Sequence, residues 1–285
     1  MVIDLLAGPF MEFAFMRRAL VAVVALALGA APLGVLLTLR RLSLVGDALS
    51  HAVLPGVALG FMFFGLSLTA LSIGGVLAGM LVVLAAALVS RHTRLAEDAS
   101  LAALYLVALA LGVMLISLHG SQIDLLHILF GNVLGVDRDG LLLVAGVASA
   151  TLLLLALMYR GLLIESFDPA FLAAGQGGRA WFQQLFLMLV VVNLVAAFQT
   201  LGTLMAVGLM MLPAISARLW HDTLAAQLLH SAGCAMLAGL AGLLLSYYAA
   251  LPSGPSIIVC AGLLYGGSLL LSPCGLLATL RRART

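Results

Sequence analysis

Asp47 and His51 are the residues of this 285-residue chain whose types and spacing point most directly to chemistry. They stand four positions apart, so a helix through them presents both side chains on one face. Carboxylate oxygen and imidazole nitrogen together suit zinc, and also manganese or ferrous iron. One Asp and one His are too few ligands alone. A symmetric dimer with this face on its axis supplies two of each, a four-ligand set that fits tetrahedral zinc. Its two carboxylates also cancel the charge of one divalent cation, which lowers the penalty for holding that charge in a low dielectric. The plainer alternative leaves Asp47 at a water interface and His51 packed against a carbonyl.

The elements that carry this pair follow from composition. Hydrophobic residues make up 64% of the chain and charged residues only 8%, against roughly 25% charged in a soluble domain. So few charges cannot cover a soluble globule, and the chain reads as an all-α, polytopic helical membrane protein. Uncharged runs cover 19–39, 48–90, 99–123, 140–159, 180–217 and 223–280. At roughly 20 residues per crossing they hold one, two, one, one, two and two helices, about nine in all. The breaks within the long runs fall at Gly65-Leu66-Ser67, Gln199-Thr200-Leu201-Gly202 and Pro252-Ser253-Gly254-Pro255. Gly46 and Pro55-Gly56 bracket a short helical piece around Asp47 and His51, so that span is expected to be broken, as binding-site helices of transporters often are. An ionisable pair inside a membrane is costly and functional by default. Residues 1–285 are expected to form one transmembrane domain.

All 13 basic residues are Arg. Without Lys the chain cannot carry an ordinary Walker A motif or Schiff-base lysine chemistry. Any ATP hydrolysis must lie on another chain. Placing the N-terminus outside puts ten arginines in the cytoplasm (40, 41, 91, 94, 160, 179, 218, 281, 282 and 284) and leaves Arg17, Arg18 and Arg138 outside. The inverted arrangement reverses the count, so the positive-inside rule favours N-out and C-in. The first apolar run ends at Arg40-Arg41, a stop-transfer pattern rather than a cleaved signal peptide.

Other candidates have plainer readings. Cys234, Cys260 and Cys274 form no CxxC and read as small packing residues. Met205, Met210 and Met211 read as flexible core filler rather than a copper path. His92, His221 and His230 read as solvated or structural. Asp124 and His127, three apart, read as a solvated helix face or a first contact for metal, and His119 of the same loop stays uncommitted. Asn193, Gln199 and Thr200 either line a polar pathway or bond across helices. In the stretch 160–180, Asp168-Pro169 suits a helix start and Gly175, Gly177 and Gly178 suit its end, giving a short projecting helix.

Taken together these segments resemble one family. Arg40-Arg41-Leu42-Ser43-Leu44-Val45 through Gly46-Asp47-Ala48-Leu49-Ser50-His51-Ala52-Val53-Leu54-Pro55-Gly56 is similar to the signature of the permease subunits of ABC importers for zinc and manganese, with some iron-transporting members. Collinear matches follow at 124–132, at Phe167-Asp168-Pro169 with Gly175, at 202–218 and at 252–256, so the resemblance covers roughly residues 10–272. It implies a multi-pass permease of the bacterial inner membrane, working as a homodimer by alternating access. Two cytoplasmic ABC ATPase subunits would power it, and an extracytoplasmic metal-binding protein would deliver the cargo. It implies Asp47 and His51 as the metal-contacting pair, and Phe167, Asp168, Pro169 and Gly175 in the ATPase-docking loop. Phe171-Leu172 depart from the more polar residues usual after that proline. The cargo is Zn or Mn, with zinc slightly favoured by the four-ligand count, and no permanently bound cofactor is expected.

Two other classes compete. A secondary ion-coupled metal transporter needs intramembrane carboxylates for its coupling ion, and Asp47 is the one candidate. An intramembrane enzyme lacks support, because neither HExxH nor GxSxG occurs and adjacent Ser50 and His51 diverge on a helix.

Overall fold

A computed structural model describes residues 2–65, 67–118, 133–167, 178–273 and 275. The described residues form helices and turns with no strand. That is the expected result for a chain in lipid, where backbone N–H and C=O groups must find partners within their own segment. In chain order the helices are α1 (Val2–Glu12), α2 (Ala14–Leu39), α3 (Val45–Ala52), α4 (Leu54–Phe64), α5 (Leu68–His92), α6 (Glu97–Leu118), α7 (Arg138–Phe167), α8 (Gly178–Leu201), α9 (Thr203–Trp220), α10 (Leu224–Ala249) and α11 (Ser253–Leu271). A 3₁₀ turn at Val133–Gly135 precedes α7.

Nine segments of the described residues are long and apolar enough to cross a membrane, with α3 and α4 together forming the second. The count agrees with the nine crossings expected from the uncharged runs. The first span begins earlier than those runs suggest, since Arg17 and Arg18 lie in the opening turns of α2. Arg17 Nη1 donates to the Met11 carbonyl at 3.0 Å and so helps close the α1–α2 corner. The turn glycines behave as their positions require: Gly65 (φ 65°) and Gly202 (φ 92°) adopt positive φ at the α4–α5 and α8–α9 corners. The α10–α11 corner falls one step earlier than its prolines suggest, at left-handed Ala250, and Ser253 opens α11.

The helices gather into two groups. On one side α4, α5 and α6 pack on one another. On the other, α2 packs on α7, α9 and α10, while α11 covers α9 and α10. The half-helix α3 touches α6, α8 and α9, and α8 touches α5, α7 and α9, so these two elements join the groups. Packing in lipid depends on close backbone approach rather than on hydrophobic force. One such approach is mutual: Gly56 of α4 meets Gly74 of α5, each placing its carbonyl where the other's β-carbon would stand. Met205, Met210 and Met211 are buried among the α9 core residues, as filler should be. The Cys234 and Cys260 thiols are free, and Cys274 lies outside the described residues.

Candidate metal-binding half-helix

The break in the second span is where the sequence places it. α3 ends at Ala52, Val53 turns with φ −79° and ψ −16°, and α4 restarts with Pro55 in its first turn. Proline has no N–H to offer the helix before it, and its fixed φ suits a first turn. The piece that results, Val45–Ala52, is buried along most of its surface: Val45, Gly46, Ala48, Leu49, Ser50 and Ala52 all face protein. Asp47 and His51 are the exceptions. The Asp47 side chain is 65% exposed and that of His51 30% exposed.

Contacts of the following residues give their depth. A β-carbon on Gly79 would meet Val53 Cγ1 at 3.0 Å, and Gly79 lies near the middle of the 25-residue α5. His51 is two residues before Val53, about 3 Å along the helix axis, and Asp47 about 9 Å. His51 therefore stands near the middle of the spans and Asp47 between one and two turns toward the Arg40-Arg41 end, on the open face of an otherwise enclosed half-helix.

Several contacts fix α3 in place. A β-carbon on Gly46 would lie 2.7 Å from Met210 Cε and 2.9 Å from Met211 Cε, so glycine lets α3 seat directly on α9 without displacing those methionine methyl groups. Ser50 Oγ donates to the Asp47 carbonyl at 2.7 Å. At the preceding corner the Arg40 guanidinium lies 4.4 Å from the centre of the Phe186 ring, a cation–π contact to α8. Arg218 Nη1 of α9 donates to the Thr38 carbonyl at 2.8 Å, which satisfies a backbone group at the C-terminal end of α2 where a cation is favourable. The arginines that flank the motif thus build its corner.

His51 Nε2 and Asp47 Oδ1 are 3.8 Å apart. That is too long for a hydrogen bond and a few tenths of an ångström wider than the ~3.4 Å between two ligands of a tetrahedral zinc ion. A modest carboxylate rotation closes the difference. Among the described residues no group of three or more His, Cys, Asp or Glu side chains could hold a metal ion.

Of the other polar candidates in the spans, Asn193 and Gln199 bond across helices and Thr200 bonds within its own. Asn193 of α8, 4% exposed, donates through Nδ2 to Thr151 Oγ1 of α7 at 2.6 Å and to the Leu189 carbonyl at 2.9 Å. Gln199 meets Ser72 of α5 at 2.7 Å. With its NH₂ group turned toward Ser72, the hydroxyl accepts from Gln199 and donates to the Leu68 carbonyl at 2.8 Å. Thr200 bonds back to the Ala196 carbonyl of its own helix at 2.8 Å. Of the docking-loop candidates, Phe167 is the last residue of α7, which runs on past Arg160. Asp168, Pro169 and Gly175 lie outside the described residues, as do His119, Asp124 and His127.

Comparison with known proteins agrees with this architecture. Residues 12–272 match the ABC 3 transport family. The manganese transport system membrane protein MntC of Halalkalibacterium halodurans is 34% identical over 264 residues, covering 92% of this chain and 89% of that protein. The manganese import system permease protein ScaB of Streptococcus parasanguinis is 34% identical over 263 residues, covering 92% of each chain. Among solved structures, PsaBC from Streptococcus pneumoniae in complex with Fab superposes with a TM-score of 0.81 at 32% identity, covering 96% of this chain and 97% of that one.

Proposed function

This chain belongs to the ABC 3 transport family as a multi-pass membrane permease without an ATPase of its own, and on that premise we propose that it imports a divalent transition metal through contacts from Asp47 and His51. The observation that carries the reading is the placement of the pair. A carboxylate and an imidazole stand within the second span on the one open face of a half-helix whose other faces are packed. Left against lipid, such a carboxylate is costly. A second copy of the chain, related by a two-fold axis along this face, covers the pair and doubles it. Two carboxylates then neutralise one divalent ion, and two imidazoles complete four protein ligands.

The cargo we favour is manganese. Relatives that cover almost all of this chain are named as manganese transporters. The four-ligand count that leans toward zinc also serves manganese, which adds water or carbonyl oxygen to reach six. The chain works with cytoplasmic ABC ATPase subunits and an extracytoplasmic metal-binding protein, and its N-terminus lies outside and its C-terminus in the cytoplasm. The stretch 160–180, with Phe167, Asp168, Pro169 and Gly175, receives the ATPase. Closure of the ATPase pair moves that loop, α7 and α8. Because α3 and α8 join the two helix groups, the motion reaches the half-helix that holds the cargo.

Radiolabelled manganese and zinc uptake by cells expressing the whole transporter tests this reading. Uptake should depend on the ATPase chain and fall to background in Asp47→Ala and His51→Ala at normal membrane abundance. Retained uptake in either variant, or uptake driven by a proton or sodium gradient without the ATPase, contradicts it.

A further inference from the structure

The sequence separates His221 and His230 by nine positions, and the fold brings them together. His221 follows the last residue of α9, and His230 stands in the second turn of α10. His221 Nε2 and His230 Nδ1 lie 3.2 Å apart, with the two rings edge to face. Both side chains are half-buried, and the connecting Asp222 and Thr223 are exposed to solvent.

A third polar group belongs to the same corner. Gln227 is one turn before His230, only 5% exposed, and donates through Nε2 to the His221 carbonyl at 2.7 Å. That bond fixes the amide orientation, because turning it would set oxygen against oxygen. Its buried Oε1 is left without a hydrogen-bond partner. An unpartnered buried oxygen is expensive and calls for a donor or a cation.

We propose that His221 Nε2, His230 Nδ1 and the Gln227 amide oxygen form a second divalent transition-metal site, at the α9–α10 corner and separate from Asp47 and His51. Two imidazole nitrogens 3.2 Å apart, each about 2.0–2.1 Å from a shared ion, subtend an angle of about 100° there, close to tetrahedral. Binding needs each ring to carry its proton on the other nitrogen and to rotate slightly, so that two lone pairs converge where one hydrogen bond now runs. Solvent completes the coordination. A bound ion ties the end of α9 to the start of α10, an interhelical corner otherwise held by the Gln227 bond and the His221–His230 contact. The site rests on this geometry alone and does not depend on the transport reading.

Trp220 supplies the readout. Its ring stacks on that of His230 with centroids 6.2 Å apart, so a paramagnetic ion held there quenches its fluorescence. The full chain in lipid nanodiscs, with Trp181→Phe to isolate the signal, is titrated with Ni²⁺ and Co²⁺ and then challenged with Zn²⁺. Saturable quenching reversed by Zn²⁺ is expected. His221→Ala, and His230→Gln as a packing-conservative variant, should each weaken the apparent affinity by at least ~10-fold. The Asp47→Ala, His51→Ala double variant should leave it unchanged. Absence of saturable quenching, quenching that survives both histidine variants, or quenching lost with Asp47 and His51 overturns the proposal.

Discussion

Two polar pairs inside the membrane-spanning region differ in what covers them. Asn193 and Thr151 are enclosed between α7 and α8, and the Asn193 amide donates both to the neighbouring helix and to its own. Asp47 and His51 share one face of a half-helix, come no closer than 3.8 Å, and open outward. The first pair is complete and acts as a lock between helices, whereas the second is incomplete and ionisable, and is held rigidly in that condition by its surroundings. A polar residue in a membrane helix is thus assigned to packing or to function by whether its neighbours already satisfy it, more than by its type.

Substitutions at the two pairs should separate along that line. The largest effect is expected at the open pair: Asp47→Ala and His51→Ala each lower metal uptake by about 100-fold or more, since losing a ligand exceeds the usual second-shell penalty. Thermal unfolding in detergent should move little, because both side chains lie on the open face of α3. A large loss of melting temperature in either variant would make the pair structural and erase the contrast. The next effect tests whether the seat of α3 matters. Gly46→Val drives side-chain atoms into the Met210 and Met211 methyl groups and should cost about 1–3 kcal/mol as overpacking. Uptake should fall with it and recover in part when Met211→Ala is added, as read by uptake per folded transporter. Full activity in Gly46→Val would show that the half-helix need not sit where it does.

At the closed pair the expectation reverses. Asn193→Ala should destabilise the chain by about 1 kcal/mol, the usual scale of a helix–helix hydrogen bond in a membrane. Uptake per folded molecule should remain near wild type, because Thr151 still donates to the Val147 carbonyl. The smallest effect is expected for Ser72→Ala, about 0.5 kcal/mol by the same measurement, since Gln199 sits nearer a helix end where water offers replacements. Loss of uptake in Asn193→Ala at unchanged abundance would turn a lock into a pathway residue.

Much of this was legible in the sequence because the bilayer makes simple demands. The crossing length sets the nine spans, and Pro55-Gly56 sets the break. A four-residue spacing puts Asp47 and His51 on one face before any coordinates are known. What the sequence hides is pairing between elements. Nothing local links Asn193 to Thr151, Gly46 to Met210, or Arg218 to the carbonyl of Thr38. His221 and His230 each look like a solvated or packing histidine until a turn folds one against the other. A signal existed at Gly46, a glycine inside a short helix beside two charged-type residues, but its reason lies in α9. The arginines were also only half read: their number suggests orientation, while Arg17, Arg40 and Arg218 are used to close helix corners.

The central claim is that Asp47 and His51 touch the transported ion. Electron spin-echo spectroscopy of the assembled transporter loaded with Mn²⁺ tests it most directly, because a coordinated imidazole imprints nitrogen modulation on the manganese signal. The account predicts modulation from directly bound nitrogen that disappears in His51→Gln, with ion occupancy sharply reduced in Asp47→Ala. Nitrogen modulation that persists unchanged in His51→Gln would contradict it.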